Sequence, residues 1–479
     1  MFALRVRSYF SLLQGTCSPA ALCRLAKSLG YRGLAMTDRD NLYGLWDFLK
    51  GCRQEGLQPI VGAEISEPGS ATTVTCLVRD KDGYTSLCKL LTKRHTQKKF
   101  TLATELPLLA GGLMVLCRDI GLFEHLFHHS VDVVADLGPR PGAVGRTLRN
   151  FAAGKKLAAV ATVDSDLGTE KDVSLYWLLQ AVREKSTISS VMEGAAVGQI
   201  NWLAGEEQYR KNFAIWPEVL AATEELAEKC SFTGPEFGIV MPPWREETSC
   251  DPRIALREKA YKGARRRYGD DLGEIVVERL EHELKVIEKM GFSSYFLVVR
   301  DIVHRKGTDG RRKKRRICGR GSGAASLVAY CLEITNVCPV KYNLYFERFL
   351  NPGRTDPPDI DIDFSWDERD DVLREVLTDF GDHAAMVCNH VFFQPRMAIR
   401  ETAKTFGLPG YEISRLTKRI PWVQTGGAES LAENLVCLPA LKGVELSEPW
   451  PDILRLAEQL VGLPRYLSVH PGGVVITPY

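Results

Sequence analysis

Three aspartates, Asp359, Asp361 and Asp363, occupy alternate positions in the stretch PPDIDIDF over residues 357–364. In an extended strand successive side chains point to opposite faces. Ile360, Ile362 and Phe364 therefore face one way and the three carboxylates the other. The apolar face reads as core. The acidic face asks for another cause, because aspartate is a poor strand former and same-face neighbours stand only about 7 Å apart. A row of like charges at that spacing suits a cation, and the pattern predicts metal ligands.

Upstream, in RRKKRRICGRGSGAASLVAYCLEIT, Gly319, Gly321 and Gly323 bracket Arg320 and Ser322. The spacing predicts a tight loop opening a helix near Ser322, whose amides would form an anion site. The other reading is that the glycines only let a small-residue helix pack closely. The six basic residues Arg311–Arg316 form either a solvated loop or a phosphate contact. In NLYFERFLNPGR, Arg348 and Arg354 come just before the acidic strand. Carboxylates, amides and guanidinium groups in one neighbourhood point to phosphoryl chemistry. Magnesium held by carboxylates would bridge substrate phosphates while arginines and amides neutralise the rest.

These residues need a scaffold. The chain has 479 residues, too many for one ordinary core, so two to four domains are expected. At 45% hydrophobic, 25% charged and net charge +2 the composition is that of a globular protein, and any basic footprint must be local. The 13 cysteines contain no Cys-x-x-Cys pair, which argues against a zinc ribbon or a disulfide scaffold. Neither a signal peptide nor a run of about 18 apolar residues is evident, so a cytoplasmic location with no membrane partner is expected.

Over the first 235 residues short apolar runs alternate with helical patterns. RGLAMTD, QPIVGAEI, TVTCLV, GGLMVLC and KLAAVATVDSD read as strands, and SPAALCRLAKSLG as an amphipathic helix. Such alternation predicts a parallel sheet or barrel. The Gly- and Pro-rich segment Thr233–Trp244 is the linker candidate. Two helical stretches follow, each closed by a glycine, and residues 367–462 read as mostly helical. Arg396, Arg400 and Lys404 recur every four residues and share one helix face. Such a stripe suits the phosphate backbone of a duplex; the other reading is a solvated face.

The motifs GRGSGAASLVAYCLEIT, YNLYFERFLNPGR and PDIDIDF, in this order, resemble those of the bacterial C-family DNA polymerases, the alpha subunits of DNA polymerase III. AAMVCNHVFFQPRMAIRETAKTFGLPG and LPRYLSVHPGGVVIT look more like the error-prone branch. The resemblance implies template-directed DNA synthesis on primer-template DNA with dNTPs, at a two-metal Mg2+ site. Gly321 and Ser322 would hold the triphosphate, Arg348 and Arg354 would assist, and Asp359 and Asp361 would be the catalytic metal ligands. Asp363 matches a position that the resemblance does not make catalytic, while the geometry of the acidic face keeps it among the candidates. The stripe Arg396, Arg400 and Lys404 would belong to a DNA-binding thumb.

The N-terminal region is similar to the family's PHP domain, a distorted βα barrel. Relatives with a metal site there carry His-x-His where this chain has Arg5-Val6-Arg7. Arg39 and Asp166 stand at two further histidine positions, while Asp38, Glu64 and Asp164 remain. Arginine offers no lone pair to a metal, so this domain reads as structural.

The implied fold class is α/β and multidomain. A PHP-type barrel (1–235), the first part of a nucleotidyltransferase-like palm (236–385), a mostly helical thumb (386–461) and a return to the palm (462–479) are expected, with the fingers absent. The third palm carboxylate of the family would fall beyond Tyr479, so the metal site is expected to be incomplete here. A second chain carrying the remaining palm and fingers is then a possible partner. A non-catalytic DNA-binding or assembly remnant of such a polymerase is the alternative function.

Overall fold

The computed structural model describes residues 1–194, 201–236, 238, 240–242, 244, 250–304, 315–353, 358–420 and 446–478. The chain divides into two compact units. One comprises Met1–Pro235 with His390–Leu467, the other Glu236–Asn389 with Ser468–Tyr479. The division after Pro235 falls within the Gly- and Pro-rich segment 233–244.

The first unit is built on a seven-stranded sheet in sequential order: β1 (Phe2–Val6), β2 (Gly33–Met36), β3 (Gln58–Ser66), β4 (Thr73–Val78), β5 (Leu113–Cys117), β6 (Val133–Asp136) and β7 (Ala159–Val160). Pairing is parallel except at β4, which runs antiparallel to both neighbours. β1, β2, β5 and β6 are buried at every position, the pattern of strands covered on both faces. Beyond β7, Val163 N donates to Leu4 O at 2.9 Å, Ser165 N to Arg5 O at 3.1 Å and Arg7 N to Ser165 O at 2.9 Å. The chain after the last strand thus lies along the first, and the sheet curls toward closure. Of the expected strands, KLAAVATVDSD forms a regular ladder only at Ala159–Val160. β1 and β6 were not among those expected; Arg5 interrupts the apolar run of β1.

A second core in this unit joins Leu175, Leu178 and Leu179 of helix Val173–Glu184 to Phe393, Ala398, Ile399, Ile413, Trp450, Ile453 and Leu460. Helices Pro395–Thr405, Gly410–Thr417 and Trp450–Leu460 therefore share their core with the N-terminal region. These helices lie in the segment expected as a thumb.

The second unit packs helices Pro252–Tyr268, Glu274–Lys289 and Ser293–Val303 around Leu280, Leu284, Phe292, Phe296, Phe346 and Phe349. Short helix Leu327–Cys331 lies against the first of these. A Cβ at Gly263 would stand 1.9 Å from Cys331 O, so only glycine permits that approach. An antiparallel ribbon pairs β8 (Ile317–Arg320) with β9 (Asp361–Phe364). β10 (Ala384–Phe392) and β11 (Pro464–Ile476) form a further two-stranded pair.

Candidate functional site

The β8–β9 ribbon sets the acidic stretch beside the glycine-rich turn. Its register pairs Arg320 with Asp361 and Cys318 with Asp363. Exposure alternates from Asp359 to Phe364: the three aspartates are exposed, and Ile360, Ile362 and Phe364 are half-buried. The strand is shorter than PPDIDIDF suggests. It starts at Asp361, so Asp359 lies ahead of it; Pro358 lacks an N–H for a ladder, and β8 ends at Arg320. There Gly321 takes φ +66°, and a Cβ on it would stand 3.1 Å from Asp361 Oδ2. Only glycine takes this turn without strain. Asp363 is engaged by Arg320, with Nε 2.9 Å from Oδ1.

No α-helix opens at Ser322. Gly321–Ala325 forms a 3-10 turn with Gly321 and Ser322 exposed, and the helix begins at Leu327. Its cap is Ser326, whose hydroxyl accepts from Ala329 N at 3.1 Å. The competition is decided by side-chain capping: Ser326 takes the amide of Ala329 and Glu283 that of Val328, leaving the residues before them as a separate turn.

Arg348 is exposed, ends the turn Phe346–Arg348, and makes no ion pair among the described residues. Arg354 lies outside the described residues, as do 311–314 of the basic run. Of that run's last two members, Arg315 pairs with Glu375 at 2.6 Å and donates to Ile302 O at 3.0 Å, so it is a structural arginine.

Two groups near the ribbon escaped the sequence reading. Burial, with smaller contributions from Asp359 and Asp361, pushes the Tyr295 phenol up to about 12, against a backbone hydrogen bond with Ile360. Glu283, fully buried, accepts from Ser326 Oγ at 2.9 Å and Val328 N at 3.1 Å. A glutamate at a helix position otherwise filled by apolar residues was the available signal.

Among the described residues no group of three or more His, Cys, Asp or Glu side chains is arranged to hold a metal ion. With Asp363 committed to Arg320, Asp359 and Asp361 are the carboxylates left at the ribbon. That donor set suits a hydrated magnesium, which takes one or two carboxylates and fills its sphere with water and phosphate oxygens. It does not suit a closed cage.

In the first unit, the positions at issue for a metal hold guanidinium groups. Arg5 Nη2 lies 2.7 Å from Glu64 Oε2 and its Nη1 2.8 Å from Asp136 Oδ2. Arg7 reaches Glu64 at 3.0 Å, Asp164 at 2.9 Å and also Asp166; Arg39 pairs with Glu64, and Arg118 with Asp136 and Asp164. Arg118 and Asp136 are members that the sequence did not single out. Burial alone would raise Glu64, but Arg7, Arg5 and Arg39 bring its carboxyl down to about 2. Asp164 and Asp136 are likewise held below the ordinary carboxylate range, against burial, by Arg5 and Arg118. Glu64, Asp136, Asp164 and Asp166 are thus each answered by at least one guanidinium group.

The basic stripe lies on helix Pro395–Thr405. Arg396 is exposed, Arg400 Nη1 is 3.4 Å from Ser414 Oγ, and Lys404 Nζ is 3.0 Å from Glu401. Glu401 also pairs with Arg465 at 3.3 Å. The stripe belongs to the first unit and the acidic ribbon to the second.

Residues 254–479 match the family described as the bacterial DNA polymerase III alpha NTPase domain, and residues 3–140 match the PHP domain. The chain is similar to the error-prone DNA polymerase of Symbiobacterium thermophilum (32% identity, covering 99% of this chain and 47% of that one). It is also similar to the error-prone DNA polymerase of Pseudomonas paraeruginosa (34%, 99% and 46%). A third relative is the DNA polymerase III subunit alpha of Halalkalibacterium halodurans (30%, 99% and 44%). The chain spans about half the length of the curated relatives it matches. In order along the chain stand a region similar to the PHP domain family and a region similar to the bacterial DNA polymerase III alpha family.

Proposed function

We propose that the protein carries out template-directed DNA synthesis of the error-prone, translesion type, transferring a nucleotidyl group from a dNTP to a primer 3′ end. The observation that carries this reading is the seating of Gly321 against Asp361 on the β8–β9 ribbon, which joins an exposed Gly-Ser turn to exposed carboxylates. Asp359 and Asp361 would hold Mg2+, which when bound supplies charge neutralisation and polarisation of the phosphate oxygens. Gly321 and Ser322 bind the triphosphate, and Arg348, with Arg354, offsets its remaining charge. Residues 236–385 act as the palm, joined by 462–479. Residues 386–461 act as the thumb, where Arg396, Arg400 and Lys404 follow the DNA backbone without reading sequence. Residues 1–235 serve as a structural PHP-like domain, its would-be metal positions filled by arginine–carboxylate pairs.

The test is calorimetric titration of the protein with dATP, with and without Mg2+, for the native chain and Asp361→Asn. Binding should require Mg2+ and fall at least tenfold in the variant, a loss of about 1.4 kcal/mol. Equal binding by both proteins, or binding indifferent to Mg2+, overturns the reading. A DNA-binding remnant without catalysis would bind primed DNA but no Mg2+-dependent nucleotide.

A further inference from the structure

We propose that Arg279 and Glu283, one turn apart on helix Glu274–Lys289, are a positioning pair that fixes the Gly-Ser turn and the Arg348 segment relative to each other. The proposal rests on the nucleotidyl-transfer reading above. Arg279 Nη2 donates to Ala325 O at 2.9 Å and to Leu344 O at 2.6 Å. Ala325 ends the turn that begins with Gly321 and Ser322. Leu344 leads into the turn Phe346–Arg348. One guanidinium nitrogen, Nη2, therefore ties together the two segments proposed to contact the triphosphate, while Nε of the same planar fork is held by Glu283.

Glu283 completes the arrangement. One carboxylate oxygen takes Arg279 Nε at 2.9 Å, and the other takes Ser326 Oγ and Val328 N. Burial pushes this carboxyl up, while amides of Leu327 and Val328 and the Arg279 guanidinium pull against that. A fully buried carboxylate of this kind is poor stability design, because packed apolar side chains would serve as well or better. Its directional bonds hold the start of helix Leu327–Cys331 and orient Arg279 at once, which an apolar side chain could not do. The same helix grips the Arg348 segment a second time, through His282 Nε2 at 3.1 Å from Glu347. Arg279 and Glu283 thus act as positioning residues, through the turn and the Arg348 segment.

The experiment pairs nucleotide binding with hydrogen exchange on the full chain. In dATP titrations with Mg2+, Arg279→Ala and Arg348→Ala should each weaken binding about tenfold, as for one charged hydrogen bond. The double variant should lose less than the sum of the two singles, because part of what Arg279 contributes passes through Arg348. Additive losses overturn the proposal. Arg279→Lys, which keeps the charge without the fork, guards against a misfolded alanine variant and should lose affinity nearly as much; full rescue by lysine contradicts the fork. Independently of any nucleotide, Arg279→Ala should speed amide exchange in both 321–332 and 345–353 while leaving the seven-stranded sheet unchanged. Unchanged exchange in either segment sinks the clamp. A native chain that binds no dATP refutes the functional reading instead, and the exchange data still decide the clamp.

Discussion

Gly321 is seated on Asp361: a Cβ at the glycine would stand 3.1 Å from Asp361 Oδ2, and the glycine's φ is +66°. Alanine there would pay for both the left-handed backbone and the close carboxylate. We expect Gly321→Ala to lower stability by about 1–2 kcal/mol and to weaken Mg2+-dependent dATP binding. Urea denaturation and calorimetry read the two effects separately. An alanine variant with native affinity would mean that the turn tolerates displacement.

The neighbouring carboxylates should differ in consequence. Asp363 is held by Arg320 in an exposed pair, and such pairs contribute about 0–1 kcal/mol. Asp363→Asn should therefore leave nucleotide binding within about threefold, whereas Asp361→Asn should abolish its dependence on Mg2+. Parallel titrations check this, and equal losses in the two variants would assign Asp363 to the metal.

Arg7 is 4% exposed and stands among Glu64, Asp164 and Asp166. Removing it leaves carboxylates buried and uncompensated. Arg7→Ala should destabilise the protein by about 3–5 kcal/mol, measured by equilibrium unfolding of the first unit's sheet within the full chain. A loss below about 1 kcal/mol would place the cluster among marginal surface pairs.

The same cluster sets an acid limit. Glu64 is held at about 2 against an ordinary 4.5, and Asp164 and Asp136 are also depressed. A carboxyl whose folded value is lowered contributes stability that is present above its unfolded value and is lost as the pH falls. For Glu64 that window runs from about 4.5 down to about 2, and its contribution is on the order of 3 kcal/mol. Asp38, which burial pushes up against bonds from Ser11 and Ser8, works in the opposite direction. Urea midpoints should therefore fall steeply between about pH 4.5 and about pH 2, and a flat profile there would count against the network.

The stripe residues should separate by salt dependence. Arg396 is exposed, while Lys404 is paired with Glu401. Arg396→Ala should weaken binding of primed DNA and reduce the log-affinity against log-salt slope by about 1. Lys404→Ala should reduce it by less, because that charge is already partly spent on Glu401. Fluorescence anisotropy across a salt series reads both slopes.

The sequence by itself determined much of the fold: the apolar runs at 33–36, 58–66, 73–78 and 113–117 became strands because hydrophobic periodicity and turn residues act locally. The alternation of Asp359, Asp361 and Asp363 with isoleucine and phenylalanine likewise survived as alternating exposure. It determined, too, that arginines stand at 5, 7 and 39, and so that these positions could not bind a metal. Tertiary structure decided the rest. Which carboxylates answer Arg5 and Arg7 depends on β3, β6 and the segment after β7 meeting β1, contacts between residues 57 to 159 positions apart. That Arg118 and Asp136 join them could not be read locally, since an Asp at a strand end is unremarkable until the sheet curls. The helix expected at Ser322 started at Leu327 because Ser326 and Glu283, 43 positions apart, share a hydrogen bond that no local pattern announces. That the apolar face of the segment expected as a thumb is covered by Leu175, Leu178 and Leu179 was likewise decided only in the folded chain. An amphipathic helix declares that it must be covered, and only the folded chain determines by what.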